Sequence, residues 1–116
     1  MKNLLKITIE KNCHFTRAGL QDEVIDQIHP NSLSYAQSKQ MLKQLFANYQ
    51  LDVSLKEFKY MGKDKIYAYA KVQQKTLKIS GPEFKNNITE QLIVFKQDGD
   101  DWKIWTTAIL NIKYLE

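Results

Sequence analysis

The period of the apolar residues changes near residue 50, and that change constrains the chain more than any single motif. Before it, apolar residues recur three or four positions apart; after it, they alternate with polar ones. A period near 3.6 belongs to a helix with one wetted face, and a period of two to a strand. Helices followed by strands predict an α+β domain, with helices laid against one mostly antiparallel sheet.

Three helices are predicted. Residues 3–17 place Leu5, Ile9 and Cys13 on one face, although the β-branched Ile7, Thr8 and Ile9 pull mildly toward strand. Residues 19–28 carry a stripe of Leu20, Val24 and Ile28 with Ile25 on its flank, and Pro30 ends the pattern. Residues 34–49 open with Ser34 and Gln37 at capping-box spacing. Tyr35, Met41, Leu42, Leu45, Phe46 and Tyr49 then form a broad apolar face.

Four strands follow. "LDVSLKEFKYM" alternates Leu51, Val53 and Leu55 with polar residues. "KIYAYAKVQQKTLKI" sets Ile66, Ala68, Ala70 and Val72 on one face and Tyr67, Tyr69, Lys71 and Gln73 on the other. "SGPEFKNN" reads as a connection. "ITEQLIVFKQ" and "DWKIWTTAILNIKYL" form a final pair joined at Asp98-Gly99, a hairpin signal because both turn positions favour positive φ.

With Asp98 and Gly99 as the two turn residues, Phe95 faces Trp102, Ile93 faces Ile104 and Gln91 faces Thr106. Leu92 and Trp105, Val94 and Lys103, and Ile88 and Ile109 pair on the other face. Both faces are apolar, yet three helices cover one face of a sheet, not two. Leu92, Val94, Trp105 and Ile109 on an outer face rimmed by lysines therefore predict a homodimer. Gln91 and Thr106 mark the small polar end of the inner face as a pocket lining. Tyr67 and Tyr69 line a pocket for a mostly apolar ligand if their face is concave, and join the dimer face if it is convex.

Charge narrows the function classes. The net charge is +4, but Arg17 is the only arginine and every other base is lysine. Lysines spread along a chain lack the two-pronged grip of arginine on phosphate and guanine, which argues against nucleic acid as the partner. Cys13 is the only cysteine, so a disulfide framework and a cysteine-built zinc site are excluded and a reduced, cytoplasmic setting is expected. No segment has the roughly 18 apolar residues of a membrane span. "MKNLLKITIEKN" makes a poor signal peptide, its apolar run broken by Lys6 and Glu10. No phosphate-binding glycine loop or nucleophile elbow occurs, and neither metal nor cofactor is expected.

The one segment that looks like chemistry is "VIDQIHPNS", with Asp26 three residues before His29. On a helix, Asp26 points about 175° from the apolar stripe and His29 about 115°. The pair is therefore expected on the wet side, with His29 closing the helix end. His29 keeps a minority claim as a general base, because side-chain direction in a last turn is poorly fixed by spacing.

"IHPNS", "QSKQMLKQLFANYQL", "ISGPEFKNN" and the closing "DGDDWKIWTTAILNIKYL" follow one another over essentially the whole chain. In this order they resemble the nuclear transport factor 2-like superfamily, particularly its small bacterial members. The resemblance implies three N-terminal helices packed in a strongly curved, cone-like sheet, commonly dimeric, with a pocket inside. The superfamily hosts ketosteroid isomerases, scytalone dehydratase and polyketide cyclases beside non-catalytic binding members, so fold alone does not choose function. No position here matches the acid–base residue those enzymes place in the pocket. The expectation is thus a single domain over residues 1–116 forming a non-enzymatic dimeric module for a small hydrophobic molecule or a protein. The alternative is a small lyase or isomerase with His29, Asp26 or Tyr67 as its acid–base group. Weak lysine-driven binding of nucleic acid is the third and least supported reading.

Overall fold

A computed structural model describes residues 1–115. Three helices, α1 (Lys2–Arg17), α2 (Gln21–Asp26) and α3 (Tyr35–Asn48), precede four strands. The strands are β1 (Gln50–Asp64), β2 (Tyr67–Ser80), β3 (Asn87–Asp98) and β4 (Asp101–Tyr114). They form one antiparallel meander in the order β1-β2-β3-β4. The predicted α+β layout is the observed one.

The alternation of small and large residues decides how the layers meet. Ala68 and Ala70 leave room on β2, so α1 can press Leu5 and Ile9 against the sheet. Val72, Ile93, Phe95 and Trp102 complete this core. Each large side chain buried here contributes about 1.5–3 kcal/mol. A second cluster of Cys13, Leu51 and Val53 is flanked by Leu45, Tyr49 and Phe84, joining the ends of α1 and α3 to β1.

The two central strands pair without a register shift, whereas both outer strands are interrupted. In β1 the register slips between Leu55 and Glu57 and between Tyr60 and Gly62. In β4 the extra residues are Trp105 and Leu110, because Phe95 pairs with Ile104 but Val94 with Thr106, and Gln91 with Ile109 but Glu90 with Asn111. An extra residue bends its strand and tightens the local twist. A further shift, where Gln50 pairs with Ser80 but Leu51 with Lys78, leaves Ile79 extra near the end of β2. The bulges, most of them in the outer strands, curl the sheet around the helices.

The turn and these bulges together correct the expected hairpin register. Asp98 pairs with Asp101, so the two loop residues are Gly99 and Asp100. Gly99 alone has positive φ there, at 61°, which places glycine at the first turn position rather than the second. Phe95 consequently faces Ile104, not Trp102, and Gln97 faces Trp102. A slip of this size keeps the same residues inward near the turn. Beyond Trp105 the bulge exchanges the faces, so Gln91 faces Ile109 and not Thr106.

The second helix is also shorter than its period suggests. It ends at Asp26; the chain makes a last helical turn at Gln27 and then lies beside the free edge of β4, with Ile28 in a parallel bridge to Ile104. The His29 N–H donates to the Ile104 carbonyl at 2.8 Å, and the Ile104 N–H donates to the Gln27 carbonyl at 2.7 Å. These bonds satisfy backbone groups that an edge strand otherwise leaves open.

Candidate functional site

The helices leave one corner of the sheet bare. At its N-terminal end α3 is tied to the middle of β4: the Ser32 hydroxyl donates to the Trp105 carbonyl at 2.7 Å and lies 3.1 Å from the Ser34 hydroxyl. At its other end Asn48 and Tyr49 meet Gly81, just past β2. The helix therefore crosses the sheet diagonally. None of its residues is buried, and its apolar residues Leu42, Leu45, Phe46 and Tyr49 are only half-covered.

Beyond α3, every residue from Thr106 to Tyr114 is exposed. Ile109 is 56 % and Tyr114 58 % exposed, and Leu110 and Ile112 are bare as well. A strand normally hides at least one face; here both faces lie open over nine consecutive residues. On the inner face Ile109 stands opposite Gln91, Ile112 opposite Thr89 and Tyr114 opposite Asn87. The Gln91 side-chain amide donates to the Thr89 hydroxyl at 2.7 Å, and that hydroxyl lies 3.5 Å from the Gln74 carbonyl. These β3 and β4 positions offer aliphatic, amide and hydroxyl groups, with neither carboxylate nor imidazole among them.

The structure distributes the predicted residues over two surfaces. Tyr67 pairs with Lys96 and Tyr69 with Val94, and both tyrosines lie on the outer face, because the alternating Ala68 and Ala70 are packed under α1. Leu92 and Val94 share that outer face. Thr106 joins them through its pairing with Val94, while Ile109 turns to the inner side opposite Gln91. Trp105, at the bulge, gathers an aromatic cluster: His29 at 5.2 Å, Tyr67 at 6.3 Å, and the Lys96 ammonium 4.1 Å from its ring centroid. An ammonium held over an indole is a favourable cation–π contact.

His29 corrects the helix-end expectation. It is 3 % exposed and sits past the helix, against the sheet. The Asn31 N–H donates to its Nδ1 at 3.1 Å, and Nε2 faces the Gln97 carbonyl at 3.3 Å. A backbone N–H only donates and a carbonyl only accepts, so the arrangement suits the tautomer protonated on Nε2. Both ring nitrogens are thereby engaged in holding the structure. Asp26 is exposed, as the helical wheel predicts, and makes no bond to His29. The sequence signal for the burial was Trp105, whose partner could not be identified without the bulge.

Cys13 is buried, and burial pushes its thiol up, an effect partly offset by the Arg17 guanidinium. Among the described residues no group of three or more histidine, cysteine, aspartate or glutamate side chains gathers to hold a metal. No helix among them is long and apolar enough to cross a membrane.

Known structures share this architecture. A protein from Novosphingobium aromaticivorans assigned as an aromatic ring hydroxylase superposes with a TM-score of 0.79 at 14 % identity, over 98 % of this chain and 92 % of its own. A protein from Streptomyces avermitilis assigned as a dehydratase of the NTF2-like family gives 0.75 at 12 % identity, over 91 % of both chains. A second Novosphingobium protein, assigned as a scytalone dehydratase, gives 0.71 at 8 % identity, over 98 % of this chain and 87 % of its own. At such identities the likeness establishes the nuclear transport factor 2-like fold and not the chemistry. No curated protein sequence matches the chain. The family model of the C-terminal domain of the anti-sigma-I factor RsgI9 matches residues 7–115, nearly the whole length, and the chain belongs to that family.

Proposed function

We propose that this domain is a non-catalytic recognition module, and that its binding surface is the sheet corner where β3 and β4 extend past α3. The observation that carries the reading is the run from Thr106 to Tyr114, exposed on both faces although it includes Ile109, Leu110, Ile112 and Tyr114. Apolar area of this kind on a folded chain marks a contact surface. On the inner side, Ile109, Ile112 and Tyr114 beside Gln91 and Thr89 suit a mostly apolar ligand oriented by a few hydrogen bonds. On the outer side, Leu92 and Val94 with Ala108 suit a second copy of the chain.

A lyase or isomerase requires an acid–base group within reach of its substrate. His29, the minority candidate, has both nitrogens bound to backbone groups instead. Membership in a family named for a domain of an anti-sigma-I factor also favours recognition over turnover.

The test is saturable binding of the apolar dye 1-anilinonaphthalene-8-sulfonate. Wild type should bind it, Ile112→Asp should lose binding, and Leu92→Asp on the outer face should keep it. Equal binding by wild type and Ile112→Asp would remove the proposal.

A further inference from the structure

A second surface lies at the opposite end of β4, on the helical side. α1 carries two apolar stripes where its own domain needs one. Leu5, Ile9 and Cys13 are buried, but Leu4 and Ile7 are 44 % and 47 % exposed. Together with Thr8, Lys11 and Phe15 they form one wall of an open groove of about 410 Å³. The spacing of these residues, three or four apart, keeps them on one side of the helix. α2 and the start of β4 supply the other wall, with Gln27 and Trp102 at the join.

The charges on this groove run against those of the chain. Its walls bear Glu23, Asp26 and Asp101 against Lys11 and Lys103. The Lys103 ammonium is already 3.4 Å from Asp98. No ion pair among the described residues uses Glu23, Asp26 or Asp101, so three carboxylates face one unpaired ammonium. On a chain of net charge +4 this is an acidic pocket with an apolar floor. The wall from Leu4 to Phe15 extends about 16 Å along the helix axis, long for a small molecule and matched to three turns of a helix.

We infer that this groove docks an amphipathic helix of a partner protein, one whose apolar residues recur at three- and four-residue spacing and whose flanks carry lysine or arginine. Its apolar residues would cover Leu4 and Ile7 beside the buried Trp102 while its cations meet Glu23, Asp26 and Asp101. Helix-in-groove recognition works in this way, with apolar anchors supplying affinity and charges fixing orientation and partner choice.

The experiment uses the whole chain, isotopically labelled, and two synthetic helical peptides, one of leucine and lysine, the other of leucine and glutamate. The lysine peptide should shift the amide signals of Ile7, Gln27 and Asp101 and the Trp102 indole in a saturable manner. The double variant Glu23→Lys, Asp26→Lys should bind it about tenfold more weakly, since each reversal turns an attraction at the rim into a repulsion. Ile7→Asp should abolish binding while leaving dye binding at the far corner intact, so the two proposals fail independently. The inference is overturned by equal binding of the glutamate peptide, by shifts confined to other surfaces, or by no saturable shift at roughly millimolar peptide. It is overturned as well if light scattering shows a second copy of this chain seated in the groove, seen as a dimer that Ile7→Asp converts to monomer.

Discussion

His29 stands edge-on to Trp105, ring centroids 5.2 Å apart and planes at 79°, and this contact locks the segment after α2 onto the bulge of β4. The edge-to-face geometry is the favourable one for aromatic pairs. The Asn31 N–H and the Gln97 carbonyl hold the imidazole in the same pose. Replacing His29 with Ala empties a buried site and strands two backbone groups at once. The expected loss is about 2–4 kcal/mol of unfolding free energy, read from denaturant melts followed by tryptophan fluorescence. A loss below roughly 0.5 kcal/mol, the range of ordinary surface substitutions, would refute the structural role.

Gln27 rivets three elements through one side chain. Its Oε1 accepts from Asn12 Nδ2 at 2.8 Å, its Nε2 donates to the Thr8 carbonyl at 2.9 Å, and its backbone carbonyl accepts from Ile104. Gln27→Leu keeps the bulk and the backbone bond but removes both side-chain bonds. A cost of about 1–2 kcal/mol is expected. Faster amide hydrogen exchange in α2 and at Ile104 should accompany it, and an unchanged exchange pattern would count against the rivet.

Gly81 is needed for a close approach as well as for its backbone conformation. Its φ is +126°, and a Cβ added there would lie 2.5 Å from the Asn48 carbonyl oxygen and 2.8 Å from the Tyr49 ring. Gly62 has a similar φ of +134° but open space around it. Gly62→Ala therefore measures backbone strain alone, about 1–3 kcal/mol. Gly81→Ala should cost more, because α3 must also move. Equal losses in thermal or chemical melts would show that the contact between α3 and β2 is slack.

The division into three helices and four strands was legible because both apolar periods are long and unbroken, as in Leu5, Ile9, Cys13 and in Ala68, Ala70, Val72. What could not be read was the placement of single residues around the bulges. Trp105 and Leu110 carry no glycine or proline to announce an extra residue, yet they turn Thr106 outward and Ile109 inward. The end of α2 was hidden for a related reason. Ile28 continues the helical stripe, but the edge of β4 competes for the backbone of residues 27–29 and wins by pairing it. That competition is between segments more than seventy residues apart, as Ile28 and Ile104 show, and local spacing carries no trace of it.

Cys13 gives the chain a defined alkaline weakness. Burial raises its folded-state pKa, whereas the unfolded thiol titrates near about 8.5. A group whose pKa is raised on folding contributes stability that is complete below the unfolded value and is lost as pH rises toward the folded value. The difference in unfolding free energy between wild type and Cys13→Ala should thus be constant at neutral pH and shrink above roughly pH 8.5. Lysine deprotonation affects both proteins and cancels in the difference. A constant difference up to about pH 10 would show that the buried thiol is not coupled to folding. Alkylation of the native protein by iodoacetamide should be slow and should accelerate on unfolding.

The outer face of β3 and β4 makes the last prediction. Leu92 and Val94 are half-buried there, flanked by Ala108 and Thr106, which are exposed, and by the Lys71–Glu90 ion pair at 3.3 Å. A polar rim around an apolar centre is the anatomy of an interface. If a second copy covers this face about a two-fold axis, Leu92→Asp and Val94→Asp together bury two unpaired carboxylates in the contact, a cost of several kcal/mol that each copy incurs. Light scattering should then report a dimer for wild type and a monomer for the double variant, with far-ultraviolet dichroism unchanged. Ile112→Asp, on the inner side, should leave the dimer intact while removing dye binding. A wild-type monomer at roughly 100 μM, where a specific dimer of ordinary affinity would be populated, would end the outer-face proposal and leave the inner side as the contact surface of this corner.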